Sequence, residues 1–180
     1  LEKERISVHR AKQDMQDFDL LYRQYFPKIN NFVYHRVDND ADRQEIVSDV
    51  FFKAMKKLNK FNFRQDGSGG FAAWLYRITI NEINQYYRSL KRDQKIMRMK
   101  ILNQVEGTDC SMDFETVKKY LQLLKPADQN LLALKYFEKM SYQELTAIYQ
   151  KSISALKVKV HRLLCVLREN VYKEIDHERS

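Results

Sequence analysis

The chain has 180 residues, a formal net charge of +8 and a sequence pI near 9.4, with 44% hydrophobic and 31% charged side chains. That length suits one domain or two small ones, and the apolar content is enough to bury their cores. Four scattered histidines and two isolated cysteines, Cys110 and Cys165, exclude a disulfide framework and a zinc site of ordinary spacing. No run approaches the roughly 18 apolar residues of a membrane span, so no membrane insertion and a reducing, cytoplasmic setting are expected.

The basic excess favours a polyanionic partner, and it is uneven. Residues 1–92 carry 17 Lys/Arg against 12 Asp/Glu, residues 93–116 carry 3 against 5, and residues 117–180 carry 12 against 7. Two basic blocks therefore flank a slightly acidic middle. Neither a nucleophile–base pair, a phosphate-binding glycine loop nor a metal constellation is legible, so an enzyme is the least favoured class and no cofactor is expected.

Residues 1–14 are polar and unpatterned, which reads as a frayed terminus. Phe18, Leu21, Tyr22, Tyr25, Ile29, Phe32, Val33 and Val37 then recur at helical spacing, and Pro27 is expected to kink that helix or start a second one. Asp42 with Glu45 reads as an N-cap and its capping-box partner. Behind it Ile46, Val47, Val50, Phe51, Ala54, Met55 and Leu58 form a second apolar stripe. The outer side of this helix is acidic early (Asp42, Glu45, Asp49) and basic late (Lys53, Lys56, Lys57). That order complements the helix dipole, and it also describes a docking face for a basic protein.

Phe71–Arg92 contains no Gly or Pro and permits about six helical turns. Trp74, Leu75, Ile78, Tyr86 and Leu90 fall largely to one side, with Trp74 assigned to the core. Arg77, Asn81, Asn84, Arg88, Lys91 and Arg92 fall to another, a mixture of amides and guanidinium groups that suits phosphates and base edges. A solvated basic face of a core helix would look the same. Just upstream, Phe61, Asn62, Phe63 and Arg64 enter a stretch with three of the four glycines, Gly67, Gly69 and Gly70. Aromatic and polar tips beside a basic helix form a cradle for unstacked bases. A helix is expected to run on from Arg92 to about Val105, and the acidic stretch around Gly107-Thr108-Asp109 reads as a linker.

In the last third, Phe114–Leu124 supports a helix and Pro126 opens the next. Ser141-Tyr-Gln-Glu144 matches a capping box before a short helix. Ser152 caps a long last helix whose seam is Leu156, Val160, Leu163, Leu164 and Leu167. A short capped helix, a brief turn and a long cationic helix form a helix-turn-helix, with the N-terminal residues of the second helix nearest the base edges.

Four stretches in this order resemble a bacterial RNA polymerase sigma factor of the small extracytoplasmic-function (ECF) group. They are Phe18–Val37, Asp42–Ala54, Phe71–Arg88, and Lys135–Leu145 with Lys157–Arg162; together they span nearly everything from 18 to 170. The resemblance implies an all-α fold of two small helical domains joined by a linker. Its divisions are an unstructured 1–14, a sigma-2-like domain over 15–96, a linker over 97–114, a sigma-4-like helix-turn-helix domain over 115–173 and a tail over 174–180.

It further implies that Asp42, Glu45 and Asp49 dock on core RNA polymerase, at the clamp coiled coil, with the flap as a further contact. Phe61, Asn62, Phe63, Arg64, Arg77, Asn81, Asn84 and Arg88 become contacts to the single-stranded and adjacent duplex DNA of the downstream promoter element. Ser154, Ala155, Lys157, Val158, Lys159 and Arg162 become contacts to the upstream element as duplex. An anti-sigma factor is a further partner the resemblance allows. One departure is plain: Gln150 and Lys151 stand at the helix-turn-helix turn where the family usually has Gly and an apolar residue, so a positive φ there would be strained. Val158 stands where small polar residues are usual and favours a thymine methyl. The alternatives are a stand-alone helix-turn-helix regulator, which would bind duplex as a symmetric dimer, and an all-α protein-interaction module, which would bind no DNA.

Overall fold

The computed structural model describes residues 2–63, 69–98 and 120–178, and seven α-helices with no strand among them. The helices are α1 (Glu2–Gln13), α2 (Phe18–Tyr34), α3 (Asp40–Lys57), α4 (Phe71–Arg98), α5 (Pro126–Tyr136), α6 (Tyr142–Tyr149) and α7 (Ile153–Glu178). Residues 120–123 are also helical. The expected linker, and most of the helices expected over Arg92–Val105 and Phe114–Leu124, lie outside the described residues.

The terminus expected to fray is a helix instead. Val8 and Ala11 are buried on one side of α1, and a 3-10 turn, Met15–Asp17, joins it to α2. Two small apolar residues in a polar dozen are too weak a periodic signal to stand out, yet they are enough to seat the helix on α2.

Helix α2 buries Phe18, Leu21, Tyr25, Ile29, Phe32 and Val33, the i, i+3, i+4 pattern of one face. Pro27 does not start a second helix: α2 runs on through it to Tyr34. Pro27 is exposed, so the Arg23 carbonyl it deprives of an intrahelical N–H faces water rather than apolar side chains.

Helix α3 begins earlier than expected. Its N-cap is Asn39, whose Oδ1 accepts from the Asp42 N–H at 3.1 Å, and Asp42 is already inside the first turn. An Asn three residues ahead satisfies the same donor that an Asp42 cap would leave open.

Helix α4, about 42 Å long at 1.5 Å per residue, packs against α2, α3, α5 and α6. Phe71, Leu75, Thr79 and Ile83 are fully buried along it, and Thr79 satisfies its hydroxyl on the Leu75 carbonyl at 3.0 Å. Trp74 is half-buried rather than enclosed, with Phe61 and Phe71 at ring-centroid distances of 5.0 and 5.4 Å.

The C-terminal helices follow their caps. Pro126 occupies the first turn of α5. Ser141 and Glu144 form both bonds of the capping box on α6, and Ser152 Oγ accepts from the Ala155 N–H at 3.2 Å to start α7. Leu156, Val160 and Leu167 are buried and Leu163 half-buried, while Leu164 sits off the seam and is exposed. Between α6 and α7, Gln150 adopts φ 54°, ψ 41°, the left-handed conformation that glycine would take without strain.

The helices before and after the linker share one apolar cluster, with α5 and α6 lying on α4. A polar network is set into that contact. Arg36, 8% exposed, donates from Nε to Asn130 Oδ1 at 2.7 Å and from Nη1 to Gln129 Oε1 at 2.6 Å. Gln129 in turn donates to the Gln122 and Leu124 carbonyls, and the Tyr87 hydroxyl donates to the Arg36 carbonyl. Glu138 accepts from Asn31 at 2.6 Å and from the Tyr76 hydroxyl at 3.3 Å, and His35 stacks on Phe137 at 4.1 Å.

Candidate nucleic-acid and partner interfaces

The three acids of α3 do not form one uniform face. Glu45 and Asp49 are exposed, and Asp49 has only Lys53 nearby, at 3.6 Å. Asp42 is half-buried and accepts from the Tyr86 hydroxyl at 2.8 Å. Burial, then that hydrogen bond to a carboxylate, pushes the Tyr86 phenol up to about 12. Asp42 is therefore engaged in holding α3 to α4, whereas Glu45 and Asp49 present charge to solvent. Lys53 turns inward to pair with Glu82 on α4. On the same helix Val47, Phe51, Phe52 and Met55, with Phe18, Tyr22 and Phe26 of α2, line a largely apolar groove of about 410 Å³ whose polar members are Asn30, Gln44 and Ser48. Phe52 and Tyr22 are exposed in it.

The residues expected to hold unpaired DNA are spread unequally. Phe61 is buried among Phe63, Phe71 and Trp74, at 4.9, 5.7 and 5.0 Å between ring centroids. It is the floor of the feature rather than a stacking surface. Asn62 is exposed and Phe63 half-exposed, so these two are available to a base. Arg64 lies outside the described residues. On α4, Asn81 and Arg88 are exposed, and Arg77 is half-buried with a partner of its own. Asn84 Oδ1 accepts from Asn130 Nδ2 at 3.1 Å and so sits in the contact between the two helical units. Asn81 and Arg88 thus share an open surface, while Asn84 is turned into the protein by α5.

On α7, Ser154, Ala155, Lys157, Val158 and Arg162 are exposed on the outer side of its first three turns. Lys157 Nζ stands 5.8 Å from the Tyr142 ring centroid, a cation–π contact that orients it toward the start of α6. Lys159 is different: its ammonium is 2.5 Å from Asp128 on α5, with both groups partly buried. That ion pair ties α7 to α5. Five of the six residues expected to meet the upstream duplex therefore share one open surface, and Lys159 has an internal partner.

Reasoning from sequence missed the buried polar centre, Arg36 with Gln129 and Asn130. Its signal was faint: Gln129-Asn130 directly precedes Leu131-Leu132-Ala133-Leu134, so those two amides start a run that is buried throughout. Desolvation lowers the Arg36 pKa, against the opposing pull of Tyr87. Among the described residues no group of three or more His, Cys, Asp or Glu is placed to hold a metal, and no helix is long and apolar enough to cross a membrane.

The described residues thus form a helical protein with a cationic open surface on α7 and an apolar groove between α2 and α3. The family described as Sigma-70 region 2 matches residues 21–93. The chain is 29% identical to "RNA polymerase sigma factor YlaC" of Bacillus subtilis (strain 168), over 88% of this chain and 94% of that one. It is 24% identical to "ECF RNA polymerase sigma factor BldN" of Streptomyces coelicolor, over 89% of this chain and 62% of BldN. Among solved structures, the sigma factor RpoE in complex with the anti-sigma factor NepR from Bartonella quintana has the same fold. Its TM-score is 0.63 at 22% identity, covering 87% of this chain and 98% of that one. Residues 21–93 thus match a sigma-70 region, and the similar curated proteins are RNA polymerase sigma factors, BldN among them named as of the extracytoplasmic-function group.

Proposed function

We propose that this chain is a dissociable specificity subunit that binds core RNA polymerase and directs promoter-specific initiation of transcription, with no active site of its own. Glu45 and Asp49, with the apolar groove between α2 and α3, dock on the polymerase clamp. Asn62 and Phe63, backed by Phe61, and Asn81, Asn84 and Arg88 hold the unpaired strand of the downstream element and the duplex next to it. Ser154, Ala155, Lys157, Val158 and Arg162 grip the upstream element in the major groove. Lysines there position the domain on phosphates, and Arg162 is placed to read a guanine. Binding energy from the captured strand offsets the cost of unpairing, so no nucleotide hydrolysis is needed.

The observation that carries this reading is the coexistence of two exposed surfaces on different helices: an apolar groove between α2 and α3, with exposed acids on α3, and a cationic helix with an open N-terminal face, α7. A stand-alone regulator has no use for the first. Co-elution with core polymerase tests it. The wild-type chain is expected to form a stoichiometric complex, and Glu45→Ala with Asp49→Ala to weaken that complex about tenfold or more, on the scale of charged contacts at a steered interface. Asp42→Ala is expected to act chiefly on stability through Tyr86. Tight binding of promoter duplex by the free chain as a symmetric dimer, with no polymerase complex, would sink the proposal.

A further inference from the structure

Helix α1 belongs to neither docking surface, yet three of its polar side chains, Glu4, Arg5 and Lys12, reach residues between α3 and the first turn of α4. Val8 and Ala11 seat it on the protein. Glu4 Oε1 accepts from the Tyr25 hydroxyl at 2.5 Å and from the Ala72 N–H, in the first turn of α4, at 3.1 Å. Its Oε2 lies 3.0 Å from where a Cβ on Gly70 would stand, so a side chain there would push the carboxylate back by a few tenths of an ångström. At the other end, Lys12 Nζ donates to the Phe61 carbonyl at 2.5 Å. Between them the Arg5 guanidinium stands 5.3 Å from the Phe63 ring centroid. Glu4 and Lys12 are about 12 Å apart along the helix. One helix therefore holds both Phe61–Phe63 and Gly70–Ala72, the two ends of a stretch of sequence that is one-quarter glycine.

We propose that α1 is a specificity brace for the downstream element, with Glu4, Arg5 and Lys12 as its positioning residues. This rests on the reading of Asn62 and Phe63 as base contacts. Stacking alone accepts every base, because each has a π-face. Discrimination needs the amide and ring held within about half an ångström of one geometry. Were Asn62 and Phe63 free to move, they would have to order as DNA binds, and that cost falls on right and wrong bases alike. Held by Lys12 at the Phe61 carbonyl and by Arg5 at the Phe63 ring, they are placed when the protein folds, and Phe63 meets the base with Arg5 behind it.

The experiment is transcription by reconstituted holoenzyme from a promoter library randomised across the downstream element, with the transcripts sequenced. Four variants are compared with wild type: Glu4→Ala/Lys12→Ala, Glu4→Gln, Arg5→Ala and Phe63→Ala. The double variant is expected to cut the preference between best and worst base roughly tenfold at the position Phe63 serves. Polymerase co-elution and preference at the upstream element should not move. Glu4→Gln keeps an oxygen for the Ala72 N–H and Tyr25 hydroxyl and is expected to retain selectivity. Arg5 is exposed, so Arg5→Ala leaves the helix seated and is expected to lower selectivity without changing thermal stability. If Phe63→Ala flattens the preference while the double variant and Arg5→Ala do not, α1 is merely structural and the proposal is overturned. If Phe63→Ala has no effect either, the base-contact reading itself fails. If the double variant unfolds, Arg5→Ala decides alone.

Discussion

Arg36→Met removes the charge at the centre of the contact between the two helical units while keeping most of its stem. The two guanidinium–amide bonds are charge-assisted, at 2.7 and 2.6 Å, and bonds of that kind contribute about 1.5–3 kcal/mol each. Desolvation of the cation offsets much of this, as the lowered pKa of Arg36 indicates. The larger effect lies in what remains. With Met at 36, Asn130 Oδ1 and Gln129 Oε1 face a thioether, and a buried unsatisfied oxygen costs about 1–3 kcal/mol. Separation of the units returns both to water. The closed arrangement should lose about 2–4 kcal/mol relative to an open one, a shift of roughly 30- to 1,000-fold in their ratio. Small-angle scattering reads this directly: a compact chain of this length has a radius of gyration of about 16 Å, and Arg36→Met should raise it by several ångströms at low protein concentration. An unchanged radius in Arg36→Met, together with expansion in Leu131→Ala, would refute the argument. The apolar cluster, not the buried cation, would then hold the units together.

The turn at Gln150 offers a small gain. A non-glycine residue at φ 54° costs about 1 kcal/mol or more, glycine's chain entropy offsets part of it, and Gln150→Gly should stabilise by about 0.5 kcal/mol, while Gln150→Val should cost more than 1 by thermal melting. Ser141→Ala should cost about 1 kcal/mol at neutral pH. The Ser141 backbone N–H, and after it the hydroxyl, hold the Glu144 carboxyl below its usual range. Alanine keeps the first, so only the hydroxyl's share of the gap fades as pH falls through the lowered folded value, and the gap should narrow on acidification without closing. Tyr86 has the opposite sign: with its phenol raised to about 12, its contribution is complete below pH 10 and is lost as pH rises from 10 through 12. Tyr86→Phe should show a shallower alkaline loss of helical circular dichroism.

Where the sequence was legible, one residue's own neighbours decided its state. The capping box at Ser141, the proline-led start of α5 and the long α4 follow from local rules, and the structure has all three. At Gln150 the sequence left open whether the turn would change its geometry or take a strained positive φ, and the structure has the positive φ. The expectations that failed were those in which a distant residue intervened. Asn39 displaced Asp42 as cap by being one turn earlier. Pro27 was tolerated because of which side of α2 it faces, a matter of tertiary placement. Helix α1 hid because it is held by partners 21 to 68 residues away, Tyr25 and Ala72 among them. Glu45 and Asp49 are exposed on α3, but no pattern in the sequence indicates that Tyr86, 44 residues on, takes Asp42.

Asn84 brings these strands together, because the sequence marks it for DNA and the structure engages it with Asn130. The two statements are compatible on energetic grounds. Its bond to Asn130 joins two neutral amides, and exchanging such a bond for one to a base edge changes the free energy by about 1 kcal/mol or less. Breaking a paired charge there would cost several times more. The charge in this contact, Arg36, is instead placed one partner further in, against Asn130 and Gln129, where DNA binding does not require it to move into water alone. A surface that must serve a closed protein and an open complex in turn is best built from groups that pair equally well in both. Asn84 and Asn130 are such groups, and Asn84→Asp separates the roles: a carboxylate still accepts from Asn130 Nδ2 but repels the phosphates and loses its own donor. It should leave the closed form's radius unchanged and lower promoter binding by the holoenzyme roughly tenfold. Equal loss of both would mean that α4 presents Asn84 to α5 alone.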